Sequence, residues 1–504
     1  MRGSQKFRAS AAVLLTRGAG SEVFLVERSP KLSFFGGYWA CPGGVVDPSD
    51  CRATDSPKST PPTRADLARC AVRELFEETG VSTPELLRLF ERAGAPGRRE
   101  LQLQLLAGEQ TAWRDWIEAE DWSEFDSLKR VCTLTTPPFV PVRYRTEFWQ
   151  LELPDGEEPL VEDGELVRGE FMEPGEVLER WLAGEMFVVP PVLFLLEQLR
   201  DRPLHSGLAQ ARAFSERVAA GRLSEIRHTP GIFTAPLATP TIPPATTTNC
   251  YLIGEQEVYV LDPATWDESE RARLFELMDH WLAEGRRFKG VLVSHHHPDH
   301  IGSVVETAER YSLEVLAHPI TLERLPELPC GARELHDGDR LELGTAPDGR
   351  PGWGLRALHT PGHDRGHLVF VEDRYGAALV GDLVSTLSTI IIDPPEGHLA
   401  TYLASLQRMA GEDFGVLYPS HGPAARDGAR YIRRFIAHRE ERERQLLDGL
   451  EAGLSDVEEL VATVYRGTAV EVLPMAKRSL QAGLDKLAEE GRVECTERGW
   501  TLSS

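Results

Sequence analysis

Four histidines and one aspartate lie within the seven residues Ser294–His300, in the order Ser-His-His-His-Pro-Asp-His. The whole chain of 504 residues holds 15 histidines, so this local density indicates a site rather than chance. Imidazole and carboxylate groups are ligands of Zn²⁺ and neighbouring metals. The pattern H-x-H-x-D-H therefore predicts a metal centre that follows a short apolar strand.

Three further candidate ligands come later in the chain, each beside glycine or proline at the end of an apolar stretch: His363, Asp382 and His421. Loops at strand ends commonly carry functional groups. Other histidines are interpreted as outer, solvated or structural neighbours, because such partners cannot be assigned from sequence; these are His296, His318, His359 and His367.

In order and approximate spacing these residues resemble the metallo-β-lactamase superfamily, over about residues 228–430. The resemblance implies an αβ/βα sandwich that holds two Zn²⁺ ions. It implies one metal on His295, His297 and His363, a second on Asp299, His300 and His421, and Asp382 bridging both. Two such cations make hydroxide available near neutral pH for attack on an ester, thioester, amide or phosphodiester. Asp299 is the candidate catalytic residue that orients it.

A second constellation, Arg73–Val81, reads Arg-Glu-Leu-Phe-Glu-Glu-Thr-Gly-Val. On a helix, Glu74, Glu77 and Glu78 stand at i, i+3 and i+4 and share one face. Carboxylates crowded in this way repel each other unless a cation neutralises them, and their oxygens suit Mg²⁺ or Mn²⁺. The alternative is a solvated acidic helix face. A glycine-rich loop upstream and the stop at Gly80 favour the metal site.

This stretch resembles the Nudix box, G-x5-E-x7-R-E-U-x-E-E-x-G-U with U apolar. The second half fits at every specified position, but Asp50 stands in place of the first Glu, and 22 residues rather than seven separate it from Arg73. The insertion and the segment Pro42–Asp47 resemble the coenzyme A diphosphatase branch related to Nudix hydrolase 19. The resemblance implies an α/β/α sandwich over residues 1–205, with Mg²⁺ or Mn²⁺ bound by Glu74, Glu77 and Glu78.

The same resemblance implies Glu77 and Glu78 as catalytic residues for cleavage of a nucleoside diphosphate linkage, in nucleotides or coenzyme A derivatives. The departure at Asp50 makes this Nudix head the weaker candidate for activity.

The elements that must position both sites follow from residue patterning. In the first part we predict strands at Ala9–Thr16, Glu22–Glu27 and Arg143–Leu153, and helices at Ala65–Thr79 and Glu85–Lys129. Residues 206–227 are predicted as a linker containing a helix, and residues 231–248 as extended or looped. Beyond it we predict strands at Cys250–Ile253, Val258–Asp262 and Val291–Ser294, and a helix at Glu268–Glu284. This alternation indicates an α/β multidomain architecture.

The tail, residues 431–504, is predicted to form a small winged-helix-like domain. Its pattern is a helix at Asp456–Tyr465, a helix from Pro474 to Gly491, and two short strands at Arg492–Glu494 and Trp500–Leu502. It holds 11 Lys or Arg and 14 Asp or Glu, hence a charge of −3, whereas a DNA-reading wing is normally basic. A packing or dimerisation module is therefore the alternative.

Four segments resemble the β-lactamase-like protein 2 branch, whose animal member is a mitochondrial single-strand RNA endonuclease: Thr246–Leu252, Ile392–Gly397, Tyr402–Leu406 and Ala437–Leu447. The leading hypothesis is a two-headed hydrolase in which the zinc head cleaves an RNA phosphodiester or a thioester. The alternative is a thioesterase, glyoxalase II-like or acting on acyl-coenzyme A, with a Nudix head that only binds ligand. The residues that contact substrate and the oligomeric state are not predicted.

The net charge and the composition of the chain disfavour some classes of binding partner. The chain has 55 Lys or Arg against 79 Asp or Glu, a net charge of −24, which argues against nucleic-acid or membrane binding by bulk charge and mildly favours a small-molecule substrate. No apolar run approaches the length of a membrane helix. The seven cysteines include no C-x-x-C pair, which is typical of free thiols in a reducing cytoplasm.

Overall fold

A computed structural model describes residues 7–32, 35–51, 61–92, 97–118, 125–223, 225–467 and 472–503. The chain divides into two compact units, Met1–Ser224 and Glu225–Ser504, and each is described by itself. Most of the insertion in the Nudix-like box, residues 52–60, lies outside the described residues. None of the described helices combines the length and the apolar character needed to cross a membrane.

The first unit is built on one mixed sheet. Its strands are β1 (Arg8–Arg17), β2 (Glu22–Arg28), β3 (Trp39–Ala40), β4 (Gly43–Val45), β5 (Lys129–Thr135), β6 (Tyr144–Glu152) and β7 (Leu166–Met172). Its helices are α1 (Arg64–Thr79), α2 (Pro84–Arg92), α3 (Gly97–Leu106), α4 (Thr111–Glu118), α5 (Pro174–Leu182), α6 (Pro190–Leu199) and α7 (Leu204–Ala219).

The central strand β1 decides the layering of this unit. It pairs parallel with β6 and antiparallel with β2 and β4. Successive side chains of a strand point to opposite faces. Val13 and Leu15 accordingly pack in one core with α1, while Ala12 and Leu14 pack in the other core with α5 and α6. The predicted α/β/α sandwich is confirmed.

Two predictions for the first part need correction. Residues 85–129 are not one helical stretch, since α2, α3 and α4 are separate and Lys129 begins β5. The predicted linker 206–227 contains most of α7, which packs on the first unit: the rings of Phe194 and Phe214 lie 4.6 Å apart and Ala211 is fully buried. An apolar helix face in contact with α6 makes this segment part of a core rather than a linker.

The second unit contains two larger sheets. The first sheet has β8 (Ile226–Arg227), β9 (Ile232–Ala238), β10 (Thr247–Gly254), β11 (Glu257–Leu261), β12 (Arg287–Leu292), β13 (Val315–Ala317) and β14 (Ala332–Glu334). The second has β15 (Arg340–Thr345), β16 (Pro351–His359), β17 (Leu368–Glu372), β18 (Ala377–Gly381), β19 (Val416–Pro419) and β20 (Ala425–Arg426). The helices that accompany them are α8 (Glu268–Ala283), α9 (Pro298–Ile301), α10 (Val304–Tyr311), α11 (Pro319–Leu322) and α12 (Leu399–Ala410).

Parallel pairs bring the chemistry-bearing loops to common edges. β11 pairs parallel with β12, and β18 pairs parallel with β19, so the loops that follow each pair emerge at one edge of their sheet. Over residues 231–248, which are predicted as extended or looped, the extended part is β9. It is almost wholly buried and pairs with β10 over seven residues, because its apolar side chains fill both faces of the sheet.

The C-terminal part begins with the long helix α13 (Gly428–Glu451), followed by α14 (Val457–Val464), α15 (Leu473–Glu489), β21 (Val493–Thr496) and β22 (Gly499–Leu502). The two shorter helices and the hairpin pack with α13 around one hydrophobic core. The members of this core include Leu446, Leu460, Leu480, Leu484 and Leu487. The predicted helix, helix, hairpin order of a winged helix is confirmed.

Candidate metal centres

The histidine-rich loop of the second unit meets four other strand-end loops. Ser294–His300 follow β12, and Asp262 stands directly after the neighbouring β11. His363 follows β16, Asp382 follows β18, and His421 follows β19 in the second sheet. Residues far apart in the chain are thus brought into one cluster by strand order.

The first group of candidate ligands comprises His295, His297 and His363, each with one ligand atom within 4.8 Å of the others. His295 Nε2 lies 3.0 Å from His297 Nδ1, and the rings of His297 and His363 are 4.7 Å apart. His295 is fully buried.

The second group comprises Asp299, His300 and His421, again within 4.8 Å. His421 Nε2 lies 3.5 Å from Asp299 Oδ2. His300 is fully buried and stands at the short helix α9, so its ring is held by the same turn that carries Asp299.

Asp382 lies between the two groups. Its Oδ1 is 3.4 Å from His421 Nε2 and 3.7 Å from His300 Nε2, whereas its Oδ2 is 3.6 Å from His363 Nε2. One carboxylate oxygen therefore faces each group, which is the geometry required to bridge two cations.

These donor atoms fit a pair of divalent metal ions. His300 Nε2, His363 Nε2 and Asp382 Oδ1 are buried and have no hydrogen-bond partner among the residues that the structure describes. A buried polar atom without a partner is costly, and a metal ion satisfies all three. Imidazole and carboxylate donors of this kind suit Zn²⁺, Fe or Mn.

Burial and neighbouring charges shift the pKa values of the candidate ligand histidines in opposite directions. Burial, reinforced by His363 and His300, lowers the pKa of His297 to about 3, so its ring is neutral and free to bind a metal. Burial alone would lower the pKa of His300, but the carboxylates of Asp382 and Asp262 raise it to about 10. The two groups therefore differ in charge environment.

In three of the candidate ligand histidines, the Nδ1 atom lies at hydrogen-bond distance from an acceptor oxygen. His300 Nδ1 lies 2.9 Å from Asp262 Oδ2, His363 Nδ1 donates to the Ile391 carbonyl at 2.8 Å, and His421 Nδ1 donates to the Thr247 carbonyl at 3.1 Å. Such partners select the tautomer that leaves Nε2 for the metal. Sequence reasoning missed Asp262, although an acid at the end of a predicted strand is a signal that could have found it.

The four histidines that are predicted as neighbours of the site differ in their contacts. His367 supports the centre: its Nε2 accepts the backbone N–H of Asp382 at 3.0 Å, and a Cβ at Gly381, whose φ is +54°, would stand 2.5 Å from that nitrogen. His296 contacts Asp364 and accepts from Arg324 Nη1 at 3.0 Å. His318 and His359 stack on each other, with ring centroids 4.2 Å apart.

The Nudix-like box of the first unit is assembled on α1. Thr63 and Asp66 cap this helix reciprocally, and Gly80, with a φ of +69°, ends it. Arg73 projects from the middle of the helix and donates to both carboxylate oxygens of Asp50, at 2.8 Å and 3.0 Å. Asp50 thus reaches the helix despite the insertion.

Two of the three glutamates of α1, Glu74 and Glu78, lie against the glycine-rich loop. Gly43 N–H donates to Glu78 Oε2 at 2.9 Å, and a Cβ at Gly44 would stand 2.4 Å from Glu74 Oε1. Arg73 Nη1 donates to Glu77 Oε2 at 3.1 Å. Among the described residues, the groups of three ligand atoms within 4.8 Å all lie in the second unit, so these carboxylates do not close into such a group.

The electrostatics of these glutamates nevertheless fit a divalent cation. Burial raises the pKa of Glu74 to about 7, and burial together with Glu74 raises the pKa of Glu78 well above its usual range. Burial also raises the pKa of Glu77. Positive charge beside them would restore their ionised forms, which is the ordinary condition of carboxylates that bind Mg²⁺ or Mn²⁺.

Family models match three parts of the chain: the NUDIX domain over residues 6–189, the metallo-beta-lactamase superfamily over 243–421, and the beta-lactamase associated winged helix domain over 457–500. The chain is a fusion of these three domains. Its NUDIX domain and its metallo-β-lactamase domain identify it as a hydrolase, and both folds imply the use of divalent metal ions.

Three relatives each match about half of the chain or somewhat less. Lactamase-like protein adaB of Aspergillus niger is 29% identical over 276 residues, which are 50% of this chain and 80% of adaB. The Beta-lactamase-like protein 2 homolog of Drosophila melanogaster is 25% identical over 259 residues, 50% of this chain and 85% of that protein. Atrochrysone carboxyl ACP thioesterase of Claviceps purpurea is 29% identical over 224 residues, 43% of this chain and 66% of that protein.

Proposed function

We propose that the protein is a two-headed, metal-dependent hydrolase. Its metallo-β-lactamase domain cleaves a thioester of an acyl carrier, and its NUDIX domain cleaves the diphosphate linkage of a nucleotide or coenzyme A derivative. The observation that carries the proposal is the position of Asp382, with one carboxylate oxygen facing each of two three-residue ligand groups.

We assign as metal ligands the residues whose donor atoms lie close together. His295, His297 and His363 would hold one metal, Asp299, His300 and His421 would hold the other, and Asp382 would be shared between them. Two Zn²⁺ ions bound there would supply hydroxide at neutral pH and polarise the carbonyl under attack. Asp299 lies at the edge of the second group and is placed to orient the attacking water. Asp262 keeps His300 in position.

Two features support a thioester over other bonds for this domain. One of the relatives is a thioesterase whose name specifies an acyl carrier protein (ACP) substrate. The net charge of −24 disfavours a nucleic acid bound by bulk charge. In addition, exposed apolar side chains border the second ligand group. Trp266 is 53% exposed, and its Nε1 donates to the carbonyl of Pro298 at 2.6 Å, between two assigned ligands.

Ile242 lies in the hairpin between β9 and β10 and is 45% exposed. The hairpin is tied to the same region, because Thr247 accepts from His421 and Ala238 accepts from Thr265. An acyl chain or pantetheine arm is a substrate part that such apolar side chains contact favourably.

For the NUDIX domain we assign Mg²⁺ or Mn²⁺ to Glu74, Glu77 and Glu78, with Glu77 and Glu78 as catalytic residues. When bound, the cation polarises a diphosphate oxygen. Arg73 and Asp50 hold the helix and the glycine-rich loop together, and Gly43 fixes Glu78. All seven cysteines are free thiols, which supports a reducing, cytoplasmic location.

The test uses each domain as the control for the other. Metal-loaded protein is assayed with acyl-coenzyme A for thiol release and with coenzyme A for diphosphate cleavage. We expect His297→Ala to abolish thiol release and to spare diphosphate cleavage, and Glu77→Gln with Glu78→Gln to do the reverse. Full thiol release by His297→Ala would disprove the assigned thioesterase site, and full diphosphatase rate after the double change would disprove the NUDIX assignment.

A second candidate activity is single-strand RNA cleavage. It is favoured by the resemblance to the Drosophila Beta-lactamase-like protein 2 homolog, which extends through half of this chain, and by the winged helix domain. End-labelled single-stranded RNA incubated with the wild type and with His297→Ala separates the two. Cutting that the variant loses would favour RNA, and intact RNA with rapid thiol release would favour the thioester.

A further inference from the structure

The segment at residues 390–398, between Asp382 and α12, contains no helix or strand. It nevertheless holds a metal-site contact, since the Ile391 carbonyl accepts the hydrogen bond of His363 Nδ1 at 2.8 Å. In a sheet or helix the direction of a carbonyl is set by the backbone ladder. In residues 390–398, the direction of the Ile391 carbonyl must be set by other contacts.

Those contacts come from the C-terminal part of the chain. Arg439 on α13 donates through Nη2 to the Ile390 carbonyl, one peptide before the one that holds His363. Arg478 on α15 pairs with Asp393. Glu489, at the end of α15, lies 3.0 Å from His398 Nε2.

Arg439 is the buried member of this set. Only 6% of it is exposed, and its guanidinium lies 5.4 Å from the centre of the Tyr402 ring. The side chains of Ile390 and Ile392 pack in one core with residues of α13, including Ile432 and Phe435. The segment is therefore fastened to α13 by both apolar packing and a charge-assisted hydrogen bond, which is stronger than a neutral one.

We propose that Arg439 is a positioning residue for the metal ligand His363, acting through the Ile390–Ile391 peptides. The winged helix domain, which shares α13, thereby forms part of the support of the metal centre. This inference rests on the metal-site assignment made above, but on neither substrate. It also gives a role to the Ala437–Leu447 motif of the tail.

The physical reason is the loss of a fixed carbonyl. Without the guanidinium, the buried Ile390 oxygen lacks its partner, and the peptide that follows is free to turn toward another donor. The Ile391 carbonyl then no longer holds the His363 ring at one angle. Loss of an outer partner of a metal-binding histidine typically weakens metal affinity about 10- to 100-fold.

The experiment compares variants of the full chain loaded with Zn²⁺ or Co²⁺. Arg439→Met removes the hydrogen bond and keeps most of the volume, whereas Arg439→Lys keeps one N–H donor and the charge. Arg442→Met is the matched control, because Arg442 lies one turn further along α13 and donates to the Val464 carbonyl and to Gln445 rather than to residues 390–398. Metal content is measured after dialysis against a graded chelator, together with the Co²⁺ absorption spectrum.

We expect Arg439→Met to lose one of the two metals at about 10-fold lower chelator than the wild type, with an altered Co²⁺ spectrum. Arg439→Lys should recover part of the affinity, and Arg442→Met should match the wild type. Equal metal retention by Arg439→Met and the wild type would overturn the proposal, as would an equal loss in Arg442→Met. If Arg439→Met does not fold, Arg439→Lys decides alone: an unchanged Co²⁺ spectrum and metal affinity would then overturn it.

Because metal content is measured without any substrate, the result is separate from the proposed activity. A wild type that binds two metals but releases no thiol would refute the thioesterase function and leave the role of Arg439 to stand or fall on its own data. A wild type that binds no metal would refute both.

Discussion

Arg73 donates two hydrogen bonds to Asp50, at 2.8 Å to Oδ1 and 3.0 Å to Oδ2, across the 22 residues that separate them. Both side chains are almost fully buried. The shorter acid at position 50 therefore pairs with the arginine of the Nudix box even though the spacing between them is enlarged. The replacement of the first Glu of the Nudix box by Asp50 therefore leaves the pairing between acid and arginine intact.

Replacing Asp50 with Ala should destabilise the NUDIX domain by about 3–5 kcal/mol, because a buried arginine loses its partner. Glu22→Gln is the control, since it removes one side of the exposed Arg17 pair and should cost less than about 1 kcal/mol. The measurement is urea-induced unfolding followed by hydrogen exchange of peptides from the first unit. A cost for Asp50→Ala no larger than that of the control would contradict the buried pairing.

Asp262→Asn should weaken binding of the second metal about 10- to 100-fold, because the carboxylate that accepts from His300 becomes a neutral amide. Asparagine is a suitable replacement, since Asp262 has a φ of +50° and Asn tolerates this conformation. Asp267→Asn, five residues on at the start of α8, should keep both metals. The readout is metal content at graded chelator; equal retention in both variants would rule out the supporting role.

The buried His228 should make stability depend on pH. Burial lowers the pKa of His228 to about 4 from an ordinary 6.5, so the unfolded chain takes up a proton more readily than the folded one. Stability from this residue is thus present above pH 6.5 and is lost as pH falls toward 4, by up to about 3 kcal/mol. We expect His228→Asn to flatten the decline in unfolding free energy between pH 7 and pH 5. An unchanged slope in His228→Asn, with exposed His280→Asn as the control, would show that His228 does not carry it.

Trp266→Ala should raise KM for a long-chain acyl thioester about 5- to 30-fold while kcat changes less, because lost apolar contact of about 1–2 kcal/mol affects binding of the chain rather than the reacting bond. Trp266→Phe keeps an apolar ring and loses the hydrogen bond to Pro298, so it should lie near the wild type. Steady-state kinetics with short and long acyl chains separate these effects. An equal KM for Trp266→Ala and the wild type on the long chain would remove this residue from the substrate contacts.

Local pattern determined much of this protein. Metal-ligand spacing from His295 to His300, the acidic face of α1 and the glycine that ends it are all short-range signals, because ligand spacing and helix periodicity operate within a few residues. The order of strands and helices likewise indicated the α/β classes of both large domains. Helix α7 was harder to place, because its helical pattern does not say which core its apolar face will enter.

Only the tertiary structure decided how distant residues meet. The pairing of Asp50 with Arg73, the placing of Asp262 behind His300, and the link from Arg439 to the peptide that holds His363 each join elements far apart in sequence. Such contacts depend on parallel strand pairing and on helix docking, which a single sequence does not encode in any local signal. The candidate reactive groups could therefore be predicted from the sequence, whereas the partners that hold them in position became visible only in the fold.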